Sequence, residues 1–519
     1  MPAPYGQTRP ISHHESRWKG KLLLVVGMSI MFLLPVSLFA SVSLLDMVRT
    51  ALDRSPGLLL ERQSLRSSES NMLAARSAFD SQLSLSSSYS QADSTASGIE
   101  LKTVASKLSS STLLPFGLII APAISVQGYT SPGFSTLNTA SAGVSFTLPL
   151  LQGLGNNSYN MALKASRKSY QAEGFALQHI ASTSIYSAAS AYWNYVYAYQ
   201  TLKRDQQLTY NAKESCRATK ALAGAGEVAS VRVVQAEAYL QQLEATEIGD
   251  AQGLRQAWSD LFATVGCSTK GREEPEEPLD SFPVPDRNLI LPGDLSKLKA
   301  KALSSRADLQ ALRLQSDAAN DLLAGSRNGL KPKIDLLLYA GYNGMHNGSL
   351  ITDYFSSLFS QVPGVNASAT LSYTFSYGNH SNKSTFIRNS AQYETAIINR
   401  EVLERSIDEG VGVATESVKN ISAILLLSMK SAETYRFLNA AELKKFKEGM
   451  SDLFKVQSVS TDLGNAEKQL LAAQKAYALA VLTYRYQIAE IMHEHNGLYS
   501  VEERDLVSIP ALDNTINKQ

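Results

Sequence analysis

Apolar positions recur at three- and four-residue intervals over residues 43–78, which predicts helix with a break at Ser55-Pro56. The period then falls to two. Leu83, Leu85 and Tyr89 alternate with Gln82, Ser84, Ser86 and Ser88, the pattern of a strand. Residues 93–111 are rich in Ser, Ala and Thr and read as loop. Leu113 to Tyr129 reads as a strand pair or one broken strand, punctuated by Pro115 and Pro122. Val144, Phe146, Leu148 and Leu150 alternate again, and Gln152-Gly153-Leu154-Gly155 ends the run. A helix is then predicted from Asn157 to Leu222, about 65 residues without proline and roughly 100 Å long if continuous. A second helix runs from about Val228 to Phe262.

The same order returns in the second half. Ile334, Leu336, Leu338 and Ala340 alternate, and residues 365–377 alternate throughout. Val365, Ala367, Ala369, Leu371, Tyr373, Phe375 and Tyr377 fall on one face of that strand. Asn366, Ser368, Thr370, Ser372, Thr374 and Ser376 fall on the other. Long helices follow from Asn382 to Glu448 and from Asp452 to Met492. Their seams step by four and three: Ile407, Val411, Ala414, Val418, Ile421, Leu425, Ser428, Ala432 and Tyr435, then Val456, Val459, Leu463, Ala466, Leu470, Ala473, Tyr477, Ala480 and Tyr484. Ser184, Ala188, Ala191, Tyr195, Ala198 and Leu202 do so in the first half. This is coiled-coil spacing. Its many Ala and Ser positions let backbones approach closely, which suits a lateral array of helices.

The two halves also align residue by residue. Ala51-Leu52 matches Ala302-Leu303, Gln82-Leu83 matches Lys333-Ile334, and Ser145-Phe146-Thr147-Leu148 matches Ser372-Tyr373-Thr374-Phe375. Gly226 with Arg232-Val233 matches Gly449 with Lys455-Val456. One long supersecondary unit is used twice. The expected division is a leader over 1–40, a first repeat over 41–270, a linker over 271–290, a second repeat over 291–495 and a tail over 496–519. The linker carries Arg272-Glu273-Glu274-Pro275-Glu276-Glu277-Pro278, in which proline and like charge forbid helix. It is expected on the surface.

Arg17, Lys19 and Lys21 precede an apolar run from Leu22 to Phe39, with small residues from Ser37 to Ser41. This predicts an export signal cut after Ala40, or otherwise an uncleaved anchor. No later segment reads as a transmembrane helix, so any insertion into a membrane must use strands. The strand at 365–377 has the lipid-facing and water-facing sides of a membrane barrel strand, though a half-buried strand of a soluble sandwich shows the same alternation. The chain has 519 residues and a net charge of +1, which points away from nucleic acid. Cys216 and Cys267 are the only cysteines. A turn at Gly226 leaves them roughly 45 Å apart along the helices, too far for a disulfide, so two free thiols are expected.

Each repeat offers about two good strands, whereas a small membrane barrel needs at least about eight. An open edge in lipid leaves backbone groups unpaired at several kcal/mol each. The chain must therefore oligomerise to close a barrel.

Duplicated long helical hairpins with strands between them, behind an export signal, resemble the TolC family of outer-membrane efflux channels. The resemblance covers nearly all of residues 43–495. It rests on Leu45, Ala51-Leu52 and Ser55-Pro56, on Phe79 with Gln82-Leu83, on Pro149-Leu150-Leu151-Gln152-Gly153 and on Phe446-Lys447-Glu448-Gly449. It implies a mainly α protein with a transmembrane β-barrel part. A homotrimer would form an α-barrel tunnel and a twelve-stranded β-barrel, four strands from each subunit. It further implies the outer membrane as location, with a long periplasmic extension. The partners implied are outer-membrane lipid, a periplasmic adaptor (membrane fusion) protein and an inner-membrane pump or ABC transporter. The implied role is the exit duct of a tripartite efflux or type I secretion system, gated at the periplasmic turns.

In the family, aspartates follow the glycine of each turn and narrow the tunnel mouth. The matching positions here are Arg232 and Lys455, a further acidic position is Ser458, and Asp452 is the one nearby acid. The aromatic before the glycine is kept as Phe446 and is Ala223 in the first repeat. The candidate gate residues are thus Arg232, Lys455, Asp452, Ser458 and Phe446. The ring is expected to be less acidic than usual, or else Arg232 and Lys455 pair with Glu227, Asp452 or a neighbouring subunit. The expected docking tips are Gly226 with Val228, Ala229, Ser230 and Val231, and Gly449 with Ser451, Leu453 and Phe454.

No phosphate-cradling loop, metal-ligand spacing or nucleophile elbow is present in the sequence. No enzymatic activity and no cofactor are expected, so the duct would be passive. The alternative is a periplasmic coiled-coil adaptor or structural protein without a membrane barrel.

Overall fold

The computed structural model describes residues 42–94, 99–270, 274–285, 294–362, 366–448, 450–495 and 498–509. The leader, Gly449 and the end of the tail lie outside them. Helix α1 (Leu44–Arg54) starts at Ser43, whose Oγ accepts the Asp46 N–H at 3.2 Å. It stops at Ser55 because Pro56 follows, and Pro56 in turn opens α2 (Pro56–Arg76). Four strands follow: β1 (Gln82–Ser94), β2 (Ile99–Leu113), β3 (Ile119–Thr130) and β4 (Leu137–Pro149). Helices α3 (Ser158–Gly224) and α4 (Ser230–Val265) complete the first half. The second half repeats the plan with α5 (Leu295–Ser305), α6 (Ala307–Gly329), β5 (Lys333–Asn347), α7 (Ile351–Ser356), β6 (Asn366–Thr374), α8 (His380–Lys447) and α9 (Leu453–Gln487). Strands β7 (His493–His495) and β8 (Leu498–Ser500) and helix α10 (Glu503–Val507) end it.

Helices α3 and α8 contain 67 and 68 residues, so each is about 100 Å long. The shorter helices match that length by stacking end to end. Gly266 closes α4 with φ 80°, against the α1–α2 break; a Cβ there would sit 2.2 Å from the Arg54 carbonyl oxygen. The second joint is polar. Arg306, at the start of α6, donates from Nη1 to Gln487 Oε1 at the end of α9 at 2.6 Å. It also grips Asp308 and lies over the Tyr486 ring. Helix α3 packs against α2 and α6 in one half of its length and against α4 and α9 in the other; α8 packs against α6 and α9. Four helical columns therefore lie side by side, in the order α2/α4, α3, α6/α9 and α8.

The predicted seams are the contact lines of this array. Ile407, Val411, Ala414, Val418, Leu425 and Ala432 are buried, as are Val456, Ala466, Ala473, Tyr477, Ala480 and Tyr484. In the first half Ala188 and Tyr195 are buried, and the four-three stepping continues past Leu202 through Asp205, Thr209, Ala212, Cys216 and Thr219, all buried. Both cysteines are free. Among the described residues one helix, α8, is long and apolar enough to cross a membrane. Its exposed apolar residues Ile387, Ile398, Val402, Val413, Ile424 and Leu427 form a stripe on the order of 100–180° around the helix from its seam.

The linker was expected on the surface, but part of it is buried. Among residues 274–285, Asp280 accepts from the Tyr192 hydroxyl at 2.6 Å and from the Leu44 N–H at 2.7 Å. Phe282 is buried and stacks on Trp193. The strap closes a core of α1, α3, α4 and the chain end, where buried Arg485 pairs with Asp505 at 3.0 Å.

The six strands form one antiparallel sheet in chain order. This corrects the expectation of four: residues 99–113 are strand β2, not loop, and the span from Leu113 to Tyr129 holds one further strand, β3. Its apolar alternation is diluted by Lys102, Lys107 and a run of serines, so periodicity could not reveal it. Cross-strand pairing holds it instead, with Ser84 and Ser109 hydroxyls 2.9 Å apart on one neighbour and a ladder to β3 on the other that is interrupted only opposite Pro122 and Ala121. Register gives the sheet two unlike faces. Ile120, Phe146, Leu338 and Ala369 make one apolar row, and Pro122, Val144, Ala340 and Ala367 the next. Rows on the opposite face read Ser125, Ser141, Asn343 and Ser145, Tyr339, Ser368. Helix α7 and the residues after it fold back over the far end of the apolar face. Tyr354 is buried there with Val126 and Ala140, and its hydroxyl donates to the Val126 carbonyl at 2.7 Å.

Replacing Gly266 by Ala forces a left-handed backbone on a residue with Cβ and drives that Cβ into the Arg54 carbonyl. The expected loss is about 2 kcal/mol or more, read as a lower thermal midpoint by circular dichroism. Gly174→Ala, in α3 with open space around it, should keep or raise the midpoint.

Candidate functional site

The two long hairpins end in turns at the same end of the array. Helix α3 ends at Gly224 with Ala225 as its cap, and Gly226 turns the chain with φ 79° while the Glu227 N–H reaches back to the Leu222 carbonyl at 3.0 Å. This is a glycine C-terminal cap. Val228 and Ala229 lead into α4, and Ser230 is its first residue. In the second hairpin the Met450 N–H reaches back to the Lys445 carbonyl at 2.8 Å, and Asp452 is the residue before α9.

Asp452 occupies the position where an aspartate ordinarily caps the helix with its own carboxylate. It makes no such cap. Its Oδ2 accepts instead from Arg232 Nη2 at 3.2 Å, across the gap between the hairpins. The Arg232 guanidinium also lies 5.9 Å from the centre of the Phe454 ring. One arginine of the first turn thus holds two residues of the second. Around them is a cavity of about 320 Å³, lined by Thr219, Leu222, Val228, Ala229, Arg232, Phe446, Ser451 and Asp452. The Ser451 hydroxyl donates to Glu442 and holds its carboxyl below the usual carboxylate range, with Lys445 and Lys455 acting the same way and desolvation opposing them.

Of the candidate gate residues, Arg232, Asp452 and Phe446 come together. Lys455 and Ser458 are exposed on α9 beyond the cavity. Gly449 lies outside the described residues; Leu453 begins α9. Val231 and Phe454 are exposed at the tips, at 58% and 59%, with Met450 at 69%. The Arg232–Asp452 pair is itself 38% and 59% exposed. Such a pair contributes about 0.2–1 kcal/mol, so the link between hairpins is weak and sensitive to salt.

A second polar cluster was not anticipated. Asp205 is 2% exposed, is gripped by Arg204, and lies 2.9 Å from Lys468 Nζ. Arg204 also donates to the Gly464 carbonyl. A cavity of about 680 Å³ beside it is lined in part by Gln200, Arg204, Arg436 and Glu467. The signal was in the sequence: Asp205 is an acid at a seam position, three residues after Leu202. Among the described residues no cluster of His, Cys, Asp and Glu could hold a metal ion.

Residues 47–267 match the outer membrane efflux protein family. No curated protein sequence matches the chain. Its fold is that of solved outer-membrane channels. The CmeC outer membrane channel of Campylobacter jejuni is 14% identical, with a TM-score of 0.65 over 86% of this chain and 85% of that one. The outer membrane protein VceC of Vibrio cholerae is 16% identical, with a TM-score of 0.63 over 85% and 95%. The open state of the MtrE outer membrane channel of Neisseria gonorrhoeae is 15% identical, with a TM-score of 0.62 over 86% and 88%.

A double-mutant cycle on Arg232→Gln and Asp452→Asn should give a coupling of about 0.2–1 kcal/mol. Each single variant should speed hydrogen exchange of the tip amides by up to about fivefold, and high salt should do the same to the parent. Additive effects in the cycle would show that the pair holds nothing.

Proposed function

We infer that this chain, an outer membrane efflux protein by the family match of its first repeat and a TolC-like channel by its fold, is a passive exit duct gated at its hairpin tips. It is an outer-membrane protein, and its role is efflux through that membrane. The observation that carries the reading is the junction of a two-faced sheet with helical columns about 100 Å long. The apolar face suits lipid and the small polar face suits a water-filled lumen. The columns are long enough to carry the duct across the periplasm.

In this reading three copies assemble. The four columns of one chain end in α2/α4 on one side and α8 on the other, and the exposed stripe on α8 gives the next copy an apolar surface. The tips carry the gate. Arg232 holds the two hairpins of a subunit together through Asp452 and Phe454, and the weakness of that link lets it release when a partner binds. Arg232 is paired with Asp452 and Lys455 acts on Glu442, so both cations that stand at the family's aspartate positions face an acid of the same chain. The exposed Val231, Met450 and Phe454 form the surface that a periplasmic adaptor covers. Transport energy comes from an inner-membrane pump or ABC transporter.

The purified protein should form ion-conducting pores in planar bilayers, and Arg232→Ala or Asp452→Ala should raise their open probability. Pores that ignore both substitutions would place the gate elsewhere. Val231→Asp with Phe454→Asp should cut export by about tenfold or more, as expected from losing over 1.4 kcal/mol of docking free energy, with unchanged assembly. Unchanged export would remove the tips as the docking surface.

A further inference from the structure

The outermost strands of the sheet, β1 and β6, each have one backbone edge without a strand partner among the described residues. Strand β1 runs away from the helices and β6 runs back toward them, so the two edges meet antiparallel when a second copy stands alongside. Their faces agree as well. Leu83 and Leu85 on β1 share the apolar face with Leu371 and Tyr373 on β6, while Ser86 and Thr370 share the polar one. The hairpin β1–β2 is part of this sheet, because β2 is laddered to β3 from Lys102–Thr130 to Leu113–Ile119.

We propose that β1 of one copy pairs with β6 of the next, so that three copies close an eighteen-stranded barrel in place of the family's twelve. The proposal rests on the trimeric outer-membrane reading. Unpaired peptide groups at β1 and β6 would each cost several kcal/mol in hydrocarbon, and a second copy satisfies both edges at once. Eighteen strands are enough to enclose an open aqueous channel.

The test uses the full chain in outer membranes, with Cys216→Ala and Cys267→Ala as background. Single cysteines at Ser84, Ser86 or Ser88 on β1 are combined with single cysteines at Ser368, Thr370 or Ser372 on β6 and oxidised. The expected result is a covalent ladder of two and three copies for at least one register, and none when β3 positions Ala121, Ala123 or Ser125 replace those of β1. Cross-linking from β3 with β1 silent would put the β1–β2 hairpin outside a twelve-stranded barrel and overturn the proposal. So would an assembled trimer in which neither strand cross-links. Native mass spectrometry of the background protein checks the underlying reading separately: a mass other than three copies would end that reading itself.

Discussion

A peptide group facing hydrocarbon must find its partner within protein, and this constraint organises the molecule. The sheet of one chain cannot meet it alone, because β1 and β6 end in open edges. The two-faced register then decides what lies on either side. Phe146, Leu338 and Val144 lie on one face and Ser125, Ser141 and Ser368 on the other, which are the two sides that the proposed closed barrel would turn to lipid and to water. In the proposed trimer the helices would inherit the symmetry that closure imposes, since the copies that complete the barrel would also continue it as a tunnel.

The helical wall solves a different problem, that of holding long parallel helices in register without a thick core. Ala188, Ala414, Ala432 and Ala473 keep the columns close, and close backbones give many small dispersion contacts over a long seam. The buried Asp205, bound to Arg204 and Lys468, adds little net stability by the usual balance of desolvation and attraction. The cluster sets Asp205 and Arg204 of α3 opposite Lys468 and Gly464 of α9. At the tips, turns, exposed charges and a thin cavity replace the seam.

Much of this was legible in the sequence. The duplication, the long helices, their seams and the alternation at β4–β6 all follow from apolar period, which survives wherever one face is consistently buried. Strand β2 escaped because Lys102, Lys107 and its serines blur that period, and because its ladder to β1 and β3 is a non-local fact. The docking of residues 274–285 escaped for a similar reason: Pro275 and Pro278 exclude helix but say nothing of Phe282 meeting Trp193. At the tips, glycine placement revealed the turns and the motif comparison singled out Arg232. Its choice of Asp452 over Glu227 needed the second hairpin in place, since the partners are 220 positions apart in the chain.

The most direct measurement is single-particle electron microscopy of the full-length protein extracted from outer membranes in detergent. The expected particle is a hollow cylinder with threefold symmetry, a barrel at one end and a helical tube on the order of 100 Å long. Recovery only as a soluble periplasmic monomer, or as a compact or filamentous particle without a lumen, would contradict it.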